Sequence, residues 1–140
     1  MNTTVEDSKI ISLLRHSDNS GDLVSIELLK DIPINVSRIF YVFDSDGENR
    51  GNHAHIKTKQ VLICINGSVV VTCSDGTNTI SFNLDSKDKA LFIPEMIWDS
   101  VSYTGKNTIL LVLSDSQYDR DDYIEDFDIF KKYKVSALTV

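Results

Sequence analysis

Two histidines one residue apart, His53 and His55, are the residues of this sequence most suited to chemistry. In a β-strand, residues i and i+2 project from the same face, so a strand here would present both imidazoles to one space. Arg50 lies three residues before His53, between Gly47 and Gly51. Imidazoles titrate near neutral pH and a guanidinium carries a fixed charge, so this group could transfer protons on an anionic substrate. The pattern therefore predicts a functional site.

Size and composition describe one globular domain. The chain has 140 residues, of which 41% are hydrophobic and 25% charged, and its formal net charge is −7. Such an acidic chain lacks the basic surface of a nucleic-acid-binding protein. No apolar run approaches the ~18 residues of a membrane span, and the first residues lack the pattern of a signal peptide. We expect a cytoplasmic protein without nucleic-acid or membrane partners.

The two cysteines, Cys64 and Cys73, lie in apolar runs on either side of a turn. Their spacing matches no zinc motif. We expect both to be reduced and buried, where they act as small hydrophobic residues.

Most of the chain has the pattern of short β-strands. Asn66-Gly67 and Asp75-Gly76 each separate two strand-like runs, and such pairs are strong hairpin signals because both residues tolerate positive φ. Many short strands at this spacing predict an all-β sandwich or barrel. The predicted strands are 22–29, 36–43, 61–65, 68–73, 79–84, 91–94, 97–103 and 108–113.

The two ends of the chain carry different signals. Residues 1–20 are polar and contain no clear strand, so we expect an N-terminal arm followed by a single domain over residues 21–140. Asp119 could cap a helix whose first turn is acidic and whose last turn is basic, as the helix dipole favours. Tyr123 and Phe127 recur at helical spacing. We predict one C-terminal helix that begins near Asp119 and docks on the barrel or on a partner subunit.

The histidine stretch resembles the first motif of the cupin superfamily. In that motif glutamate normally stands where this chain has Gln60. The second motif fits residues 88–99, with Asp99 in the place of a histidine. The resemblance implies a cupin jelly-roll barrel with the site in its mouth. The residues that match the first motif are Gly47, His53, His55, Gln60 and Gly67.

A closer resemblance is to the WxcM-like sugar-nucleotide 3,4-ketoisomerases, which act on dTDP-4-keto-6-deoxyglucose. It rests on residues 50–55, Arg-Gly-Asn-His-Ala-His, and on residues 60–68, Gln-Val-Leu-Ile-Cys-Ile-Asn-Gly-Ser. It extends from about Gly21 to Tyr133 and includes Asp122-Tyr123-Ile124. The resemblance implies a homodimeric isomerase without a metal or other cofactor. Its product would be a 3-keto-6-deoxyhexose, used for deoxyamino sugars of surface glycans.

The resemblance also implies roles for individual residues. A base would remove the C3 proton, which the 4-keto group acidifies, and a proton would return at C4 of the resulting enediol. His53 is predicted to be the base and His55 its relay, while Arg50 would bind the oxyanion or the pyrophosphate. The predicted catalytic residues are His53, His55, Tyr41 and Asp99. The predicted substrate-binding residues are Arg50, Arg38, Lys57, Gln60 and Trp98.

Three positions depart from the pattern usual in that family. Ser20 replaces an arginine or tyrosine, Phe40 replaces the first residue of a Tyr-Tyr pair, and Asp99 replaces a histidine or arginine after Trp98. These exchanges remove a phenol and a basic group and add a carboxyl group. Because Phe40 cannot donate a hydrogen bond, Asp99 is predicted to take a compensating polar role.

Two alternatives remain open at the level of sequence. His53, His55 and Asp99 form a two-histidine, one-carboxylate set that could hold Fe(II) or Mn(II) in a metal cupin. A barrel that has lost the phenol could instead bind nucleotide sugars without catalysis or with altered specificity.

Overall fold

The chain folds almost entirely into antiparallel β-strands. The computed structural model of the protein describes residues 2–138, and within them it contains twelve strands, two 3₁₀ turns and one α-helix. The 3₁₀ turns are Val5–Asp7 and Arg120–Asp122, and the helix, α1, is Phe127–Leu138. The strands are β1 (Lys9–Ser12), β2 (Arg15–Asp18), β3 (Gly21–Val24), β4 (Arg38–Val42), β5 (Asn49–His55), β6 (Gln60–Asn66), β7 (Val69–Ser74), β8 (Thr79–Leu84), β9 (Lys89–Ile93), β10 (Trp98–Tyr103), β11 (Ile109–Ser114) and β12 (Tyr123–Ile124).

Two five-stranded sheets form the barrel. The first sheet has the strand order β1-β9-β6-β11-β4, the second has β12-β5-β10-β7-β8, and β2 and β3 form a separate hairpin. Side chains from both large sheets meet in one apolar core. This architecture confirms the predicted all-β jelly-roll barrel with a C-terminal helix. Within residues 2–138, no helix is both long and apolar enough to span a membrane.

Burial of alternate residues explains how the sheets pack. In β10 every second residue is buried, and in β8 the alternation runs until Leu84, as expected for strands that cover a core. Cys64 and Cys73 are buried free thiols within the core, which confirms their predicted structural role. A second apolar cluster lies on the first sheet and includes Ile32 and Ile34 from the segment between β3 and β4.

Of the two hairpins predicted at Asn-Gly and Asp-Gly pairs, one forms and the other does not. Asp75-Gly76 connects the paired strands β7 and β8, so this predicted hairpin is confirmed. Asn66-Gly67 does not form the predicted hairpin, because β6 and β7 belong to different sheets. Both edges of β6 are already occupied by β9 and β11. Gly67 has φ +79°, and a Cβ there would lie 2.8 Å from Cα of Thr108, so close packing at this crossing requires glycine.

The first twenty residues are more ordered than the sequence predicted. The expectation that they contain no strand is wrong, since β1 pairs with β9 and β2 pairs with β3. Each strand has only four residues, which is too short for a clear alternation pattern. Arg15 fixes the hairpin through ion pairs with Asp22 at 2.9 Å and Asp88 at 3.3 Å. A domain boundary at residue 20 stays a prediction.

The C-terminal helix begins at Phe127, later than the predicted start near Asp119. Asp119 instead caps the second 3₁₀ turn by accepting a hydrogen bond from the main-chain N–H of Asp121 at 3.0 Å. The following residues, Tyr123–Ile124, are extended because they pair with the end of β5. Oδ1 of Asp126 accepts from the N–H of Ile129 at 3.0 Å and caps the helix.

Candidate active site

Two neighbouring strands, β5 and β10, supply most of the polar groups of a cavity inside the barrel. The cavity has a volume of about 120 Å³. His53 and His55 both line it, as the predicted strand geometry requires. The other polar lining side chains are Arg50, Gln60, Asp99, Tyr103 and Tyr123.

A bulge in β5 shapes the floor of this cavity. Gly51 and Asn52 both have positive φ, +84° and +62°, and the pairing with β10 shifts between Asp99 and Ser100. A Cβ on Gly51 would lie 3.1 Å from Oδ1 of Asp99, so glycine leaves room for that carboxyl group. Bulges re-aim side chains next to functional sites. Here the bulge places His53 opposite Asp99.

A buried carboxylate orients His55. Nδ1 of His55 lies 3.0 Å from Oδ2 of Asp122, and both side chains are almost fully buried. Asp122 also accepts hydrogen bonds from the hydroxyl of Thr58 and from the main-chain N–H of Lys57. Burial opposes ionisation of Asp122, but these three hydrogen bonds prevail and hold its pKa below the usual range. Nδ1 of His55 must therefore be the protonated nitrogen that donates to the carboxylate.

The second ring nitrogen of His55, Nε2, is buried and finds no hydrogen-bond partner in the described part of the chain. Burial lowers the pKa of His55, although Asp122 acts to raise it. At neutral pH the ring is thus neutral and carries a free electron pair on Nε2. Buried polar atoms without partners are rare in folded proteins and call for an explanation. A neutral imidazole with a carboxylate behind it is suited to remove a proton from a substrate.

His53 lies beside His55, and its ring is largely buried as well. Their ring centroids are 5.3 Å apart, and the ring of Tyr123 lies 5.1 Å from His53 and 4.4 Å from His55. The pKa of His53 is lowered to about 4, mainly by burial and to a smaller extent by the proximity of His55. A main-chain hydrogen bond with Gly51 acts in the opposite direction. His53 is therefore neutral at physiological pH and a weak proton acceptor.

Asp99 is the acidic residue that lines the cavity, and its carboxyl group is buried. Asp99 is only 5% exposed. On the two neighbouring strands, the residues directly opposite it are His53 in β5 and Cys73 in β7. Burial raises the pKa of Asp99 to about 7, and no cation or hydrogen-bond donor within residues 2–138 counteracts this effect. Near neutral pH a substantial fraction of Asp99 is therefore protonated and able to donate.

Two arginines provide positive charge at the site. Arg50 lines the cavity and is exposed to solvent. The guanidinium of Arg38 lies over the rings of Phe40 at 4.6 Å and Tyr118 at 5.2 Å. Phe40 itself lines the cavity. Neither arginine forms an ion pair with an acidic residue of the described chain, so both can bind an anionic ligand.

Four residues predicted to belong to the site do not line the cavity: Arg38, which lies over the ring of Phe40, and Tyr41, Trp98 and Lys57. Tyr41 is 64% exposed, because it points away from the barrel interior while its neighbour Phe40 points inward. Trp98 packs against the ring of Phe127 in α1, with centroids 5.2 Å apart. Nζ of Lys57 lies 3.3 Å from Asp119 at the surface. Strand alternation and these contacts explain where the side chains lie, and the roles predicted for them stay predictions.

Three other lining or supporting residues were not predicted. Asp122 and Tyr123 fall within the segment that the sequence suggested to be a helix, although both belong to a motif shared with the resembled family. Tyr103 lines the cavity, and burial raises its pKa to about 12, so it remains a neutral phenol. The sequence allows Tyr103 to be either a packing residue or a residue of the barrel mouth, and its strand pattern alone does not assign it to the site.

The structure does not support the metal-cupin alternative. Among residues 2–138, no group of three histidine, cysteine or acidic side chains is arranged to hold a metal ion. His53, His55 and Asp99 share the cavity but do not form such a group.

Comparison with known proteins agrees with this geometry. TDP-4-oxo-6-deoxy-alpha-D-glucose-3,4-oxoisomerase of Aneurinibacillus thermoaerophilus is 39% identical over 128 residues, which are 91% of this chain and 92% of that protein. The crystal structure of a 3,4-ketoisomerase from Helicobacter canadensis has 35% identity and a TM-score of 0.89, covering 92% of this chain and 98% of its own. A sugar 3,4-ketoisomerase from Thermoanaerobacterium thermosaccharolyticum in complex with TDP has 30% identity and a TM-score of 0.89, covering 93% and 96%. The family model FdtA, described as WxcM-like, C-terminal, matches residues 6–135. The chain therefore belongs to the FdtA, WxcM-like family, as its sequence motifs predicted.

Proposed function

We propose that this protein is a TDP-sugar 3,4-ketoisomerase that converts TDP-4-keto-6-deoxyglucose to its 3-keto isomer. The observation that carries the proposal is the unpartnered Nε2 of His55, which is backed by Asp122 beside a cavity with a free arginine. The activities of the relatives support the same reaction.

His55 is proposed as the base, in place of His53. In the first step the C3–H bond breaks and its proton passes to Nε2 of His55. The C3–H electrons form the C3=C4 bond, and O4 takes up a proton to give the enediol. Asp122 stabilises the imidazolium that forms. His53 is less suited to this step because no carboxylate of residues 2–138 forms a hydrogen bond with its ring, as Asp122 does with His55.

His53 is proposed to orient the sugar hydroxyl groups. The hydrogen bond between the His53 ring and the main chain of Gly51 raises the pKa of His53. A bond with this effect has a ring N–H as the donor and the carbonyl of Gly51 as the acceptor. In the neutral ring the other nitrogen is then an acceptor. It can accept a hydrogen bond from the hydroxyl at O3, whose proton must leave during the second half of the reaction.

Arg50 and Arg38 are proposed to bind the diphosphate, and Gln60 the sugar. The amide N–H of Gln60 donates to Oγ of Ser114 at 3.0 Å, which leaves its carbonyl oxygen for a substrate hydroxyl. In calorimetric titrations with TDP, Arg50→Ala should weaken binding, and added salt should reduce the difference. Lys106→Ala, which removes an exposed charge from a loop, is the control. Equal TDP affinity of Arg50→Ala and wild type would contradict this assignment.

The decisive experiment follows TDP-4-keto-6-deoxyglucose by NMR during incubation with the purified protein. We expect resonances of a 3-keto sugar to appear with the wild type, and none with His55→Asn or without protein. A wild-type protein that binds TDP but converts no keto sugar would favour a nucleotide-sugar-binding role.

The active species is proposed to be a homodimer. Ile39, Tyr41 and Phe43 form an exposed apolar row on the outer face and end of β4, an edge strand of the first sheet. Such edges and apolar rows favour pairing with a second copy. Sedimentation at micromolar concentration should show a dimer for the wild type and dissociation for Tyr41→Glu. A monomeric wild type would contradict the proposal.

The product is proposed to supply deoxyamino sugars of surface glycans from the cytoplasm. The glycan role rests on the family resemblance, and the free thiols of Cys64 and Cys73 fit a reducing compartment. Cell fractionation and glycan analysis of a deletion strain test both parts. An unchanged glycan composition would contradict the role.

A further inference from the structure

The proposed reaction needs a proton donor at C4 as well as a proton acceptor at C3. We propose that Asp99 is the catalytic acid that protonates C4, so that His55 and Asp99 act on different carbon atoms. This inference rests on the proposed function and deepens it by assigning the second half of the reaction.

Geometry places the carboxyl group of Asp99 at the reacting space. Asp99 lines the same cavity as His53 and His55, and it is the direct β10 partner of His53 across the two strands. Oδ1 of Asp99 fits against Gly51, where a Cβ would lie only 3.1 Å from it, and the residue still lines the cavity. The carboxyl group is therefore available to a ligand bound next to the histidines.

The surroundings of Asp99 offer no structural reason for a carboxyl group. Its partner on β7 is the buried Cys73, and the next inward residue of β10 is the buried Val101. Burying an acid among such residues without a cation is unfavourable. Perturbed acids in clefts cluster at functional sites. Burial also keeps Asp99 partly protonated near neutral pH, since its pKa is about 7.

The step balances without a further reactant. In the enediol, the O3–H bond breaks and its electrons form the C3=O bond. The electrons of the C3=C4 bond take the proton of Asp99 at C4, and Asp99 becomes a carboxylate. The O3 proton replaces the one consumed at O4, through His53 or water. Between turnovers His55 releases its proton to water, and Asp99 takes one from water.

Isotope exchange separates the two halves of the reaction. In D₂O, His55 alone is sufficient to remove the C3 proton and return deuterium to C3. We expect Asp99→Asn to retain C3 exchange within about threefold of wild type, while conversion to the 3-keto sugar falls at least about 100-fold. His55→Asn should lose both signals. Asp85→Asn makes the same chemical change at an exposed site and should change neither.

Each outcome decides between distinct conclusions. Conversion by Asp99→Asn at the wild-type rate would overturn the proposal. Equal losses of exchange and conversion, with TDP binding retained, would also overturn it, because Asp99 would then only position His55. Asp99→Glu keeps the carboxyl group and should recover part of the conversion. A wild type that shows neither exchange nor conversion would refute the proposed function itself.

The wild-type protein provides an independent measurement should Asp99→Asn fail to fold. The ratio of conversion to C3 exchange should fall as pH rises above about 7, where Asp99 loses its proton. A ratio that does not change with pH would overturn the proposal.

Discussion

Replacing the buried carboxyl group of Asp99 with an amide should stabilise the protein at neutral and alkaline pH. In the folded protein burial raises the pKa of Asp99 from its usual value of 3.8 to about 7. In the unfolded chain the group ionises near 3.8, so unfolding releases a proton between these two values. The stability that protonated Asp99 contributes is therefore complete below about pH 3.8 and is lost as pH rises to about 7. An asparagine cannot ionise and does not suffer this loss.

The size of the effect follows from the two pKa values. At about 1.36 kcal/mol per pKa unit, a rise from 3.8 to about 7 corresponds to about 4 kcal/mol. The free energy of unfolding of Asp99→Asn should equal that of wild type near pH 4. The difference should grow steadily with pH and reach a plateau of about 4 kcal/mol above about pH 7.

Urea denaturation of both proteins at about pH 4, 5.5, 7 and 8.5 measures this difference, with equal m-values as a check on two-state unfolding. Asp85→Asn should show no pH-dependent difference, because Asp85 is exposed. A difference that is flat with pH, or an Asp99→Asn protein less stable than wild type at pH 8.5, would refute the reasoning. Together with the expected loss of conversion, the variant would exchange activity for stability.

Further predictions concern the other groups of the cavity. His55→Asn should lower the rate of keto-sugar conversion about 10²–10⁴-fold in the NMR assay without changing TDP affinity, and an unchanged rate would exclude His55 as the base. Asp122→Asn should lower kcat by at least about tenfold, because an amide no longer fixes the Nδ1–H tautomer of His55; an unchanged kcat would contradict this role. The ring protons of His53 should titrate in NMR spectra with a midpoint of about 4, and a midpoint near 6.5 would show that the ring is not desolvated. Gly51→Ala should lower Tm and conversion together because φ is +84° and Asp99 is close; a variant with wild-type Tm would contradict that strain.

The parts of the fold that were predictable are those fixed by neighbouring residues. Thr79–Leu84 is a strand with the predicted bounds, since its alternating residues match a half-buried sheet. Asp75-Gly76 forms its hairpin because β7 has a free edge on which β8 can pair. The common inward face of His53 and His55 likewise follows from strand geometry alone.

The errors arise where distant residues decide the structure. Asn66-Gly67 carries the same local signal as Asp75-Gly76, but the strand before it is already paired on both edges. Acidic residues after Asp119 favour a helix start, yet pairing of Tyr123 with His55 holds that segment extended. These strand pairings cannot be predicted from the residues near each turn or helix start alone.

In the site, too, local strand geometry was predictable and contacts between distant residues were not. Phe40 and Tyr41 are adjacent in a strand, and a shift of one residue exchanges which of them faces the interior. The motif pointed to the tyrosine pair, but the register of β4 turns Tyr41 outward. Asp122 lies 67 residues after His55 in a chain with 21 acidic residues, so its pairing could not be chosen from sequence.

The distance along the chain between His55 and Asp122 also sets the order in which the protein can become active during translation. Nine of the strands that build the two large sheets precede residue 115, so a nascent chain released to that point holds the barrel strands and both histidines. It lacks the carboxylate that fixes the tautomer of His55 and the β12 strand that pairs beside it. Domains fold as units while synthesis continues. The proposed proton acceptor is thus completed only after Asp122 has left the ribosome, and a chain that stops before Asp122 would carry the two histidines without the carboxylate that orients His55.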